Sequence, residues 1–174
     1  MNNSLISEID NTMSDLTSTL DLFNNETFNT MPFEGSWTAG QVAEHMLMSA
    51  AGVAEAVRGK TEPSQRQPDE HVAMLRSLFL NFDIKMKSPN FILPSDATKN
   101  QTELKEKLVQ AFTTLREVAK SADLTAMCLD FEIPTLGFMT RLELINFAIV
   151  HTQRHIWQLK NIHTRLEKSD IASV

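Results

Sequence analysis

Cysteine is almost missing from this chain. Cys128 stands alone among 174 residues, which excludes an intrachain disulfide and fits a reducing compartment. No apolar run approaches the ~20 residues needed to span a bilayer. The opening stretch MNNSLISEID has neither the basic region nor the apolar run of a signal peptide. Basic charge is scarce: 16 Lys and Arg against 22 Asp and Glu leave a net charge of -6. The isoelectric point near 5.3 argues against nucleic acid and against anionic membrane surfaces, since both need a basic face. Strand punctuation is weak, with no Asn-Gly or Asp-Gly turn between alternating runs. No glycine-rich phosphate loop, internal repeat or low-complexity tract is found. Together these absences predict a cytoplasmic, all-α chain folding as one domain over residues 1–174, with neither a nucleic-acid nor a membrane partner.

What the sequence does contain is helical periodicity, four times over. The first stripe is Leu5, Ile9, Met13, Leu16, Leu20 and Phe23, and the second Val42, His45, Ser49, Gly52, Val53 and Ala56. The third is Leu104, Leu108, Ala111, Leu115, Val118 and Ala119. The last is Leu144, Phe147, Ala148, His151, His155 and Ile162. Helix starts are marked by Thr38 with Gln41 and by Thr140 with Glu143, each a capping box in which side chain and backbone cap one another. Asn100 with Glu103 suggests a third start. The six prolines fall between the stripes, where a missing N–H does no harm. Gly59–Pro68 reads as a polar loop, and Val72, Leu75, Phe79 and Phe82 suggest a short extra helix within 69–86. SPNFILPS reads as an extended crossover between the second and third long helices.

Within the last stripe, His151 and His155 lie four residues apart, about 40° from one another on the core-facing side. Both imidazoles could reach one metal ion. The plainer alternative is a pair of buried histidines hydrogen-bonded to other helices, as burial demands of polar nitrogens. Thr152 stands where a zinc protease carries its glutamate, so protease chemistry is excluded, and the absence of any Glu-x-x-His excludes a ferritin-like di-iron bundle. His45 sits on a face with Gln41, Ser49, Gly52 and Ala56, and would complete a set of three nitrogen donors with one position left open. Such open sites suit catalytic zinc and are acceptable to nickel or iron. Gln41 and Gln158 are candidates to orient a histidine or a bound water. Glu44 points about 100° away from His45 and reads as a solvated charge. His71 is expected to be exposed at the start of the short helix, and His163 to serve as charge at a helix C-terminus. Cys128 reads as a small buried apolar residue.

The segments SWTAGQVAEHMLMS and PTLGFMTRLELINFAIVHTQRHIWQL, with KMKSPNFILPS between them, resemble the DinB/YfiT-like superfamily of metal-dependent helical bundles. The resemblance covers the stretch around the first histidine and the last helix with its closing His-x-x-x-His-x-x-Gln. It implies a four-helix bundle with up-down-down-up topology and frequent homodimers. It also implies a three-histidine site for a divalent metal (Zn, Ni or Fe), mapping onto His45, His151 and His155. Relatives of this kind include thiol-dependent S-transferases and a mycothiol-dependent maleylpyruvate isomerase. The expectation is therefore a metal-dependent enzyme that activates water or a low-molecular-weight thiol for S-transferase or hydrolase chemistry on a small-molecule substrate. The competing expectation is a non-enzymatic stress-response or interaction bundle with structural histidines.

Overall fold

The computed structural model describes the backbone of residues 2–172 and the side chains of residues 3–168. Among the described residues six α-helices dominate: α1 (Asn2–Leu20), α2 (Asn25–Phe28), α3 (Ala39–Ala56), α4 (Val72–Phe79), α5 (Gln101–Ser121) and α6 (Arg141–Ala172). A small antiparallel sheet joins them, with β1 (Thr61–Glu62) beside β2 (Met127–Ile133) and β2 beside β3 (Gly137–Thr140). The chain is thus mostly helical, with strands that periodicity did not announce. β2 and β3 form a hairpin closed through Pro134, Thr135 and Leu136, where Thr135 and Gly137 take positive φ values of 70° and 78°. That left-handed geometry closes the turn without an Asn-Gly pair, and a register shift between Met127 and Glu132 disrupts the alternation.

The helix starts follow from local chemistry. Gln41 N–H donates to Thr38 Oγ1 at 3.1 Å while Thr38 N–H donates to Gln41 Oε1 at 3.0 Å, which satisfies two otherwise orphaned donors. At α6 the same exchange runs between Thr140 and Glu143. Asn100 caps α5 through Glu103 N–H, but the Glu103 carboxylate turns outward to Lys107. The turn α2 was not visible as a stripe, and Asn24 caps it with Thr27 as reciprocal partner. The short extra helix is only the eight residues of α4, so Phe82 lies beyond it, and the crossover contains a 3₁₀ turn at Asn90–Ile92.

Burying the apolar stripes is the main force holding the helices together. α1 packs on α5 and α6, α3 packs on α5 and α6, and α4 lies on α6. Ile9, Leu16 and Leu20 of α1, Met46 and Val53 of α3, and Phe112 and Leu115 of α5 are almost wholly removed from solvent. Every residue from Leu142 to Thr152 is buried, so the first three turns of α6 form the centre of the core. Gly52, placed on the second stripe by spacing, is exposed instead.

Polar links fix how the helices slide along one another. Asp10 pairs with Arg116 at 2.7 Å, Asp21 with Lys105, and Asp15 with Lys160 at 3.4 Å. Gln153 donates to Thr12 Oγ1 at 3.2 Å, and Arg141 Nε donates to the Val57 carbonyl at 2.7 Å. Exposed ion pairs contribute little stability, so their role is register. The Lys99 stem lies against Gly40, where a Cβ would come within 2.7 Å of Lys99 Cγ. Among the described residues, no helix is long and apolar enough to cross a membrane.

Candidate metal centre

α6 presents His151 and His155 on its buried face, and α3 brings His45 against them. His45, His151 and His155 are 2, 6 and 8% exposed, so the cluster is largely withdrawn from solvent. His151 Nε2 lies 3.2 Å from His45 Nε2 and 3.2 Å from His155 Nε2. All three donor atoms fall within 4.8 Å of one another. Ring centroids are 4.5 to 5.1 Å apart at interplanar angles of 50–72°, so the rings converge edgewise rather than stack.

The outer nitrogens settle which atoms face inward. His45 Nδ1 is 2.8 Å from the Ile92 carbonyl oxygen, an acceptor only, so Nδ1 carries the proton and Nε2 the lone pair. His155 Nδ1 is 2.8 Å from Gln158 Oε1 and takes the same tautomer. Two bare Nε2 atoms therefore face His151, whose single proton cannot bond well to both. At the three converging Nε2 atoms lone pairs outnumber protons, and a cation placed there would satisfy them. Two nitrogens bound to one tetrahedral zinc at about 2.0–2.1 Å would stand about 3.3 Å apart, close to the spacing found. The residues present fit a divalent metal.

Electrostatics point the same way. Burial pushes the basicity of His45 below the usual imidazole range, with the Ile92 hydrogen bond opposing it. His151 is pushed well down by burial and then by the neighbouring His155, His45 and Arg154. His155 is lowered to about 3, chiefly by burial. All three imidazoles are neutral at pH 7, the form that ligates metal. Trp37 lies over His45 at 5.2 Å, and Phe79 and Phe147 contact His151 at 5.8 and 5.4 Å, walling the cluster with aromatic rings.

A family model matches residues 8–159, a span that includes all three histidines, and its description is the DinB superfamily. The chain belongs to the DinB superfamily. No curated protein and no solved structure matches it.

Of the other residues singled out in this DinB-superfamily chain, Cys128 is buried as expected, while Glu44, His71 and His163 have surroundings that helical spacing did not indicate. The hydrogen bonds of the Gln41 amide go to groups other than the histidines: its oxygen caps α3, and its Nε2 donates to Asp96 Oδ1 at 3.2 Å and the Ser95 carbonyl at 3.4 Å. Glu44 is not simply solvated. It accepts the Ser95 N–H at 2.7 Å and pairs with the buried Lys99 at 2.6 Å. His71 is half-buried, and its backbone N–H donates to Glu143 at 2.8 Å. His163 packs edge-on against Phe23 at 5.5 Å well before the end of α6, because that helix continues to Ala172. Cys128 is fully buried, and its thiol is pushed up to about 11 by that burial.

Two features escaped sequence reasoning. The Glu143 carboxylate, wholly buried, receives both Arg66 terminal nitrogens at 2.6 Å as well as the N–H groups of Thr140 and His71. Burial alone would raise its pKa, but the Arg66 fork and the two N–H groups bring it below the ordinary carboxylate value. The Ile92 carbonyl on His45 was also unreadable, since a backbone atom leaves no mark in a motif.

Proposed function

We propose that the chain is a metal-dependent enzyme acting on a small molecule, with His45, His151 and His155 holding one divalent cation of the Zn, Ni or Fe group. The observation that carries this reading is the convergence of three buried Nε2 atoms with too few protons among them. A divalent cation there would favour the deprotonated, nucleophilic form of a water or a low-molecular-weight thiol taken up beside it. The chain itself supplies three neutral nitrogen donors, orients two of them through Ile92 and Gln158, and packs Trp37, Phe79 and Phe147 against the rings. Among the described residues no carboxylate joins the cluster, so no protein base is at hand. That favours S-transfer, in which the thiol brings its own nucleophile, over hydrolysis.

The same reading takes the four long helices as an up-down-down-up bundle. Asp10–Arg116 and Asp21–Lys105 match α1 and α5 in opposite senses. Thr12–Gln153 and Asp15–Lys160 match α1 and α6 in the same sense, and Glu44–Lys99 puts the starts of α3 and α5 side by side. Homodimer assembly is proposed from the family likeness, and a cytoplasmic location from the acidic, cysteine-poor composition.

Melting curves of tag-free protein provide the test. EDTA should lower Tm, zinc should restore it, and His151→Ala should abolish the response. If the histidines are structural members of an interaction bundle, each His→Ala variant loses about 1–3 kcal/mol while the chelator leaves the curve unmoved. A screen of small thiols against electrophiles then identifies the reaction.

A further inference from the structure

The crossover between α4 and α5 is fastened to the two helices that carry the histidines, and to each by few atoms. At its start, the Arg154 guanidinium of α6 donates to the carbonyls of Phe79 at 3.2 Å, Asn81 at 2.9 Å and Ile84. Phe82 stacks flat on Trp157 of the same helix, with centroids 4.9 Å apart. In the middle, the Ile92 carbonyl meets His45 of α3. At the far end, Gln41 and Glu44 of α3 hold Ser95 and Asp96. Between these points the side chains of Ile84, Met86, Phe91 and Leu93 are 39, 41, 61 and 47% exposed. The crossover is thus not anchored by inserting these apolar groups into the core.

Arg154 is notable for what it does not touch. Among the described residues no carboxylate pairs with it, and its hydrogen bonds are all to carbonyls at and beyond the end of α4. It stands between His151 and His155 in sequence, so one turn of α6 carries two candidate ligands and the clasp of the crossover.

We propose that residues 80–95 form a strap whose seating is coupled to metal binding at the histidine cluster, with Arg154 as a positioning residue acting through the strap on His45. The inference rests on the metal-binding reading above. With a cation held at Nε2, the His45 ring would be polarised and its Nδ1–H would bond more strongly to the Ile92 carbonyl. By reciprocity, seating the strap raises metal affinity by the same factor.

The test uses the full chain, with zinc as probe. Hydrogen exchange of peptides spanning 80–95 is followed with and without zinc, and zinc affinity is measured by chelator competition. The affinity series comprises wild type, Arg154→Ala, Arg154→Lys and, as a remote control, Arg116→Ala. In wild type, zinc should slow exchange in the strap, with Ser95 N–H among the protected amides. Arg154→Ala should weaken zinc binding about tenfold, with the lysine variant between it and wild type and the control unchanged. If wild type binds zinc but exchange in 80–95 does not change, the coupling is overturned while the metal site stands. An Arg154→Ala affinity equal to wild type overturns Arg154's role. If wild type binds no zinc, both readings fall. The wild-type exchange measurement decides the coupling even if Arg154→Ala does not fold.

Discussion

Gln158 Oε1 accepts a 2.8 Å hydrogen bond from His155 Nδ1, one turn further along the same helix. The bond fixes the His155 tautomer and turns Nε2 toward His45 and His151. Because partners of this kind set ligand orientation and basicity, Gln158→Leu should weaken zinc binding by about 10–100-fold while leaving the fold intact. Chelator competition and circular dichroism check the two halves. Unchanged affinity would show that the His155 ring is held by packing alone.

The buried imidazoles make stability depend on pH in one direction. His155 is lowered to about 3 from an ordinary value of 6.5, and His45 and His151 are lowered too. The unfolded chain therefore binds more protons than the folded one between those values. Stability from this source is complete above about pH 6.5 and is lost progressively as pH falls toward the depressed folded value. Urea midpoints of metal-free protein at pH 7.5, 6 and 5 should fall in that order, and the slope should flatten in His155→Leu. Midpoints that rise on acidification would contradict the neutral cluster.

Glu143 gives a prediction about stability alone. Glu143→Ala leaves Arg66 unpaired and strips the α6 cap, which should cost about 3–5 kcal/mol in urea denaturation. Glu143→Gln keeps a cap acceptor and should cost less. The double variant with Arg66→Met should recover part of the loss, since removing both charges spares the unpaired one.

How much of this was legible before the structure depends on what kind of atom does the work. The long helices were readable because side-chain periodicity and capping boxes are sequence properties. Thr38–Gln41 and Thr140–Glu143 bond to one another as their spacing implied. The β2–β3 hairpin was not readable, because its turn depends on positive φ at Thr135 and Gly137 rather than on a marked dipeptide. Gln41 lies on the side of α3 near His45, yet its amide serves the cap and the crossover, a distinction helical angle does not resolve. The Arg66–Glu143 pair joins residues 77 apart, and the Ile92 link uses a backbone carbonyl. Neither kind of contact leaves a local signal.

Cys128 should be inert. Its side chain is fully buried and its thiol is held up to about 11, so almost no thiolate exists at pH 7.5. Ellman's reagent should label it only after denaturant is added, and Cys128→Ala should keep whatever metal the wild type binds. Rapid labelling of the native protein would contradict the buried placement.

Three histidines that together form one metal site fix the metal stoichiometry of the chain. Tag-free wild type, His45→Ala, His151→Ala and His155→Ala are each equilibrated with zinc, freed of excess and analysed by mass spectrometry. Wild type should hold one ion per chain, and all three variants should lose it. Metal-free wild type, or variants that retain as much zinc as wild type, would contradict the three-histidine site.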